Sequence, residues 1–393
     1  MAMLEPVGET LACGLREQIR GLSETIREAQ PGFDAARQIP DDLYRKLAAT
    51  GVFRIWLPSG MGGAQLSPLE FMDVVEEAAA IDGAVGWLVG NGGGMSRTGA
   101  YLPTDPAQEI FREPDAFVVS GTAGLGKAVP VEGGFRVTGR WPFGSGSPHA
   151  TWFSPFCEVT GEGGQAGQRI LVYAPHKDVI LHDNWHVSGL CGTGSGDFEF
   201  DDVFVPDCFV HPYQPDPTHE GTLYRLPTIS TYIWTVATVP LGIAKGAMSE
   251  VLRIAGQRKR KADKVPLAER ELVQSDLGRI QARLGAARAY MREGMAELLA
   301  AVETGIGVEA ARVRYRLGCT YASETALTAI GQLTEIVGAA SIMRSSPLER
   351  FERDARAAAK HTAMSPNLYI TAGKYAVGPV SYTHLRAHET SGD

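Results

Sequence analysis

A chain of 393 residues is longer than one core ordinarily organises, and at roughly 150 residues per domain it predicts two to three of them. With 44% hydrophobic and 21% charged residues it has the make-up of a folded protein, not of a disordered tail or a membrane channel. A total of 37 Lys and Arg against 45 Asp and Glu gives a net charge of −8, which offers no general attraction to nucleic acid or anionic lipid. From Leu11 to about Arg112 the pattern is helical. Pro40 to Thr50 is a short amphipathic piece, and Ser67-Pro68-Leu69-Glu70 is a capping box that opens a helix through Ala80.

From about Glu113 to His211 the reading changes to strands, with turns at Gly133-Gly134, Gly161 to Gly167 and Pro206-Asp207. Phe135-Arg136-Val137-Thr138 and Ile170-Leu171-Val172-Tyr173 are two of the runs, and the expectation is a β-barrel or sandwich. A Pro-rich connection, Pro212 to Pro227, leads back to helices. Val273, Leu277, Ile280, Leu284, Ala287, Met291, Met295, Leu298 and Val302 repeat at spacings of three and four and predict one long bundle helix. Gly318, Ala322, Ala326 and Ala329 permit close helix approach, within the bundle or across a subunit interface. A second capping box, Ser346-Pro347-Leu348-Glu349, predicts a last helix carrying Arg353, Ala357 and His361 on one face.

These shifts divide the chain into a helical domain (1–112), a β-domain (113–226) and a helical bundle (227–378). The remainder, 379–393, stands apart. Val380 to Thr390 can be encoded codon by codon by a transposase-type sequencing adapter, with Pro379 supplying the two bases upstream, so it is read as adapter sequence that is not native. His384 and His388 then carry no meaning.

Five scattered cysteines without a CxxC pair point to neither a disulfide framework nor a zinc site and suit a reducing cytoplasm. Glu5 and Glu9 stand where a signal peptide needs a basic region, and the most apolar stretch, 232–244, is too short to span a membrane and contains Pro240. Gly121 to Lys127 (GTAGLGK) has P-loop spacing, but Ala128 replaces the magnesium-binding hydroxyl and Val129-Pro130-Val131 cannot open a helix. Gly189 to Gly196 (GLCGTGSG) lacks dinucleotide-fingerprint spacing and precedes the strand-like Phe198-Glu199-Phe200-Asp201. His182 and His186 sit in a strand and loop context, too far apart for a dependable metal chelate. No GxSxG elbow or HExxH helix is present.

Helices, a small β-domain and a long-helix bundle, in that order, resemble the acyl-CoA dehydrogenase fold. The run GLCGTGSGDFEFDDVFVP (189–206) is similar to that superfamily's crossing from glycine loop to strand, and Arg353-Asp354-Ala355-Arg356 to its arginine-aspartate segment. The fold class implied is α+β, with an N-terminal helical domain, a central β-barrel or sandwich and a C-terminal four-helix bundle. Two chemistries share the fold. The dehydrogenases need a carboxylate base shortly after the arginine-aspartate pair, where this chain has Lys360-His361-Thr362-Ala363; Glu335 is an alternative source.

The other branch is the oxygenase component of two-component flavin-dependent monooxygenases. Its Trp-x-Phe-x-Ser-Gly segment is matched by Trp141-Pro142-Phe143-Gly144-Ser145-Gly146, its Gly-Thr segment by Gly121-Thr122, and its histidine and small polar residue by His361 and Ser365; Trp185-His186 is a further shared feature. The resemblance implies hydroxylation of a small aromatic, phenolic compound by O2 through a flavin C4a-hydroperoxide. Reduced FMN or FAD would come from a separate NAD(P)H-dependent flavin reductase, and the assembly would be a cytoplasmic homotetramer without nucleic-acid, membrane or metal partners. Trp141 and Phe143 are then expected to wall the flavin, Thr122, Ser145, Gly146 and Ser365 to contact it, and Ser145 and His361 to act in catalysis. With an ordinary pKa of about 6.5, His361 suits a base that accepts a phenol proton near neutrality. Basic residues among Arg258-Lys259-Arg260-Lys261 reach a neighbouring subunit's flavin phosphate in this fold, although such a run is ordinarily a solvated face. The rivals are an FAD-dependent acyl-CoA dehydrogenase and a non-catalytic member of the fold acting as an interaction protein.

Overall fold

The computed structural model describes residues 7–161, 166–257 and 265–378. The basic run at 258–261 and the adapter-like tail lie outside the described residues. Helices α1 (Val7–Gly21), α2 (Ser23–Ala36), α3 (Asp41–Ala49), α4 (Pro68–Ile81), α5 (Gly83–Met95) and α6 (Thr104–Ile110) come first. The α4 capping box forms as the sequence predicts: Glu70 N donates to Ser67 Oγ at 3.3 Å, and Ser67 N to Glu70 Oε2 at 2.7 Å.

Strands β1 (Val118–Val131), β2 (Gly134–Trp141), β3 (Trp152–Val159), β4 (Arg169–Val172), β5 (Ala174–Pro175), β6 (Ile180–Leu181), β7 (Phe198–Pro206) and β8 (Val210–Pro212) follow. They form a sheet of order β6-β7-β2-β1-β3-β4-β8, with β5 on β3. The β1–β3 pair is parallel, and its register slips between Gly121 and Gly126. GTAGLGK is therefore a bulged stretch of strand.

Helices α7 (Thr222–Arg225), α8 (Thr228–Ala237), α9 (Val239–Gln257), α10 (Glu271–Thr304), α11 (Val308–Val337), α12 (Pro347–Ala358) and α13 (Asn367–Val377) complete the chain. The expected long helix is α10, packed on α11, which also contacts α9. The small residues of α11 serve contact inside this chain: a Cβ on Gly318 would sit 2.9 Å from Met291 Cα of α10, and Ala322 and Ala326 are fully buried. By length and composition, residues 308–342 are apolar enough to cross a membrane, but here they pack against α9 and α10.

Two expectations about the last helix are corrected. Ser346 makes no side-chain cap, and the Glu349 carboxylate pairs with Arg353 at 3.0 Å instead of reaching back to the cap. His361 is not on the helix. α12 ends at Ala358, and His361 is the extended residue before a 3-10 turn, Thr362–Met364, with Pro366 holding Ser365 extended as well.

Helix α5 falls within the stretch read as helical but carries no helix signal of its own, since GAVGWLVGNGGGM contains six glycines. Tertiary walls override propensity here. A Cβ on Gly90 would meet Thr235 O at 2.2 Å, and one on Gly94 would meet Thr235 Cγ2 at 2.1 Å, so α8 lies closer than any side chain allows. Asp82 caps the helix by accepting from Ala84 N and Val85 N. This buried rod carries Trp87 and leads to Arg97.

Candidate active site

The glycine-rich loop 189–196 is clamped by α12. A Cβ on Gly189 would lie 2.1 Å from Arg353 O, Leu190 N donates to Asp354 Oδ1 at 2.7 Å, and Arg353 Nη1 donates to Ser188 O at 2.9 Å. The loop also grips the end of β2, because Gly146 N donates to Thr193 O and Gly144 N to Gly196 O. Arg353-Asp354 thus positions the loop, and the loop positions Ser145.

The hydroxyls between them form a directed chain. Thr193 Oγ1 donates to Leu190 O at 2.8 Å, so in its 2.6 Å contact with Ser195 it accepts. Ser195 has then spent its proton, and in the 2.8 Å contact with Ser145 it is Ser145 that donates. Ser145 also accepts from Trp87 Nε1 at 3.0 Å. The Ser145 proton is therefore committed inward, and what remains is one acceptor lone pair.

The Trp87 indole lies edge-on to the His361 imidazole, with ring centroids 5.7 Å apart. His361 Nδ1 accepts from Ala363 N at 3.1 Å, and burial lowers its pKa to about 4. The ring is thus neutral near pH 7 with its proton on Nε2. This geometry favours a donor over the expected general base: the accepting nitrogen is used by the backbone, and the other one is left to donate. His361 and Ser145, 216 positions apart, meet through an indole that sequence reasoning missed because it sits among glycines.

The two expected wall residues separate. Trp141 is fully buried, stacked on Phe198 at 5.4 Å, with Nε1 donating to Phe156 O at 3.0 Å. Enclosed in this way, Trp141 is placed to support a flavin surface from beneath more readily than to wall it. A Cβ on Gly126 would meet its ring at 2.2 Å, and one on Gly121 at 3.0 Å, so the β1 bulge is draped over the indole. That bulge leaves Thr122 exposed on the sheet surface. Phe143 is 64% exposed, sits at a φ of 62° that non-glycine residues seldom adopt, and stands edge-on to Trp185 at 6.4 Å.

Gly146 has a φ of 88°, and a Cβ there would strike the Phe117 ring at 2.5 Å; it shapes the loop. Ser365 is not brought to this cluster by any contact in the structure, and its Oγ accepts from Asn367 N at the start of α13. His182 contacts Glu199 at 2.8 Å and His186 contacts Arg37 at 3.3 Å, and no metal-binding group of His, Cys, Asp or Glu occurs among the described residues.

An exposed aromatic, an exposed threonine on a bulge, an acceptor hydroxyl and an imidazole N–H are groups of the kind a flavin ring takes. Comparison with known proteins agrees. Residues 14–102 match the family described as acyl-CoA dehydrogenase, N-terminal domain, and residues 234–366 match the acyl-CoA dehydrogenase C-terminal domain. Indole-3-acetate monooxygenase of Pseudomonas putida is 30% identical over 378 residues, covering 94% of this chain and 92% of that protein. The oxygenase subunit HsaA of a flavin-dependent monooxygenase from Rhodococcus jostii is 29% identical, covering 89% of this chain and 94% of its own. The crystal structure of 3-HSA hydroxylase from Rhodococcus sp. RHA1 superposes with a TM-score of 0.86 at 28% identity, covering 94% of this chain and 98% of that one. The chain belongs to the flavin-dependent monooxygenases of the acyl-CoA dehydrogenase fold. In this monooxygenase Glu335 is exposed on α11, and Asp354 is spent on Leu190. Neither carboxylate joins the Ser145–Trp87–His361 array.

Proposed function

We propose that this monooxygenase is the oxygenase component of a two-component system, taking reduced FMN or FAD from a separate NAD(P)H-dependent flavin reductase and hydroxylating a small aromatic, phenolic substrate with O2. Bound reduced flavin supplies the oxygen chemistry. The protein's own groups do the rest. Phe143 and Thr122 offer the surface the ring lies on, Trp141 holds that surface in shape from beneath, and His361 donates from Nε2 to an oxygen at the ring or on the substrate. The buried surroundings of Trp87 keep water from the reacting atoms. The free thiols suit a reducing cytoplasm.

One observation carries this reading, the directed hydroxyl chain that leaves Ser145 a hydrogen-bond acceptor. The reduced ring carries an N–H at its central nitrogen that the oxidised ring lacks, so a lone acceptor favours the reduced form. Calorimetry under anaerobic conditions should show tighter binding of reduced than of oxidised flavin. Ser145→Ala should cut that preference by about 3–10-fold, the worth of one hydrogen bond of roughly 0.5–1.5 kcal/mol. Equal binding of both redox forms by the wild type would refute the proposal and favour a dehydrogenase.

Exposed apolar side chains at one end of the C-terminal helices, including Leu272 at 81% and Ile342 at 71%, support assembly of copies through that end into the homotetramer the fold implies.

A further inference from the structure

Arg97 lies on the 3-10 turn Ser96–Ala100 that continues α5, is 2% exposed, and pairs with no carboxylate among the described residues. Its Nη1 donates to Tyr101 Oη at 2.9 Å, and Tyr101 passes its own proton to Tyr224 O at 3.0 Å. The guanidinium carbon lies 4.8 Å from the Tyr232 ring centroid and 5.4 Å from that of Tyr101. The nearby His211 adds no compensating charge: its Nδ1–H donates to Pro212 O and its Nε2 accepts from Tyr173 Oη at 2.8 Å. A buried cation faced by aromatic rings and by the phenols of Tyr101, Tyr232 and Tyr173 lacks the counter-charge that burial ordinarily demands.

Hydroxyls nearby are also unspent. Thr98 Oγ1, Ser120 Oγ, Ser154 Oγ and Tyr232 Oη are buried and make no well-formed hydrogen bond, although Ser120 faces the Tyr232 hydroxyl, and Ser154 and Thr98 face that of Tyr173. The cluster borders the proposed flavin surface, because Ser120 stands two residues before Thr122 and Tyr232 packs edge-on against Phe156, whose carbonyl holds Trp141. Ser120 and Tyr232 retain some solvent exposure as residues, whereas Arg97 and Thr98 are closed off. The arrangement is a buried polar cluster beside the proposed reaction surface.

We propose that Arg97 receives the carboxylate of the substrate, with these hydroxyls completing its hydrogen bonds, so that the compound hydroxylated is an aromatic acid. The inference rests on the oxygenase reading above and narrows its substrate class. A carboxylate brings the missing negative charge and two acceptor oxygens matched to the guanidinium fork. A neutral aromatic of the same shape would leave the cation unpaired and the hydroxyls short of a strong acceptor.

The test uses isosteric pairs: 4-hydroxyphenylacetate against 4-hydroxyphenylacetamide, and indole-3-acetate against indole-3-acetamide. Binding is measured by calorimetry and thermal shift on the full protein, anaerobically, after its preference for reduced over oxidised flavin has been scored in the same preparation. At least one acid should bind tenfold or more tightly than its amide. Arg97→Gln should bring that ratio to about one, and Arg97→Lys should keep part of it. No acid favoured over its amide in the wild type, including no binding at all, overturns the proposal without recourse to any variant. An acid preference that survives in Arg97→Gln also overturns it. Loss of the reduced-flavin preference in the wild type refutes the oxygenase reading instead, so the two failures are told apart.

Discussion

His361 carries its proton on Nε2 because the Ala363 amide occupies Nδ1, and this fixes both its chemistry and its response to pH. Its pKa falls from about 6.5 in the unfolded chain to about 4 in the folded one, so the unfolded state binds more protons between those values. The group's contribution to stability is complete above pH 6.5 and is lost as pH falls toward 4. Chemical denaturation at pH 7 and pH 5 should show a larger loss for the wild type than for His361→Asn. The hydroxylation rate, in turn, should not climb through pH 6.5, since the imidazole is already neutral there. A clear inflection near 6.5 that disappears in His361→Asn would restore the general-base role and sink the donor assignment.

Asp354 binds α12 to the glycine loop, and its linkage has the opposite sign. Burial first, then the neighbouring Asp82, push its pKa up to about 7, so the folded state holds the proton that the unfolded chain releases near 4. Stability from this group declines as pH rises from about 4 to 7 and is level above that. Asp354→Asn should flatten the decline between pH 5 and 8 in urea titrations; an unchanged slope would place the pH sensitivity elsewhere. Helix α5 gives a second expectation. Gly→Ala ordinarily helps a helix by about 1 kcal/mol, yet Gly90→Ala must force α8 away and should lower the melting temperature, whereas Gly278→Ala on the open surface of α10 should not.

These elements also show what the sequence discloses. The α4 capping box, the period of α10 and the strands of the sheet follow from local chemistry, and each is where that chemistry puts it. The helical reading of 11–112 covers α5 without marking it, because neighbours decide this helix against its own propensity. The site was half legible. Ser145, Phe143 and His361 could be named from a motif, but which hydrogen-bonding role each retains depends on partners such as Ser195, Trp87 and Ala363, which no spacing rule connects to them. Trp141 reads as a wall and is found fully buried, since strand alternation does not say which face of a sheet is covered.

At the scale of the whole molecule, the exposed apolar end of the C-terminal helices should be buried between copies. Leu272→Asp should shift the light-scattering mass in solution to a smaller species while leaving the helical circular-dichroism signal intact. An unchanged mass would place the subunit contact elsewhere. The glycine rod has an effect beyond packing. With six glycines, each costing roughly 0.5–1 kcal/mol in a helix, α5 has no tendency to fold alone and takes its shape from α4, α8 and the sheet. Trp87 rides on this borrowed helix and Arg97 on the turn that continues it, so the reactive surface and the acid-binding cluster depend on the least self-sufficient segment described. Mild heating should therefore silence the enzyme while its long helices are still intact: flavin binding and turnover are lost first, and the far-ultraviolet signal of α10 and α11 follows at higher temperature.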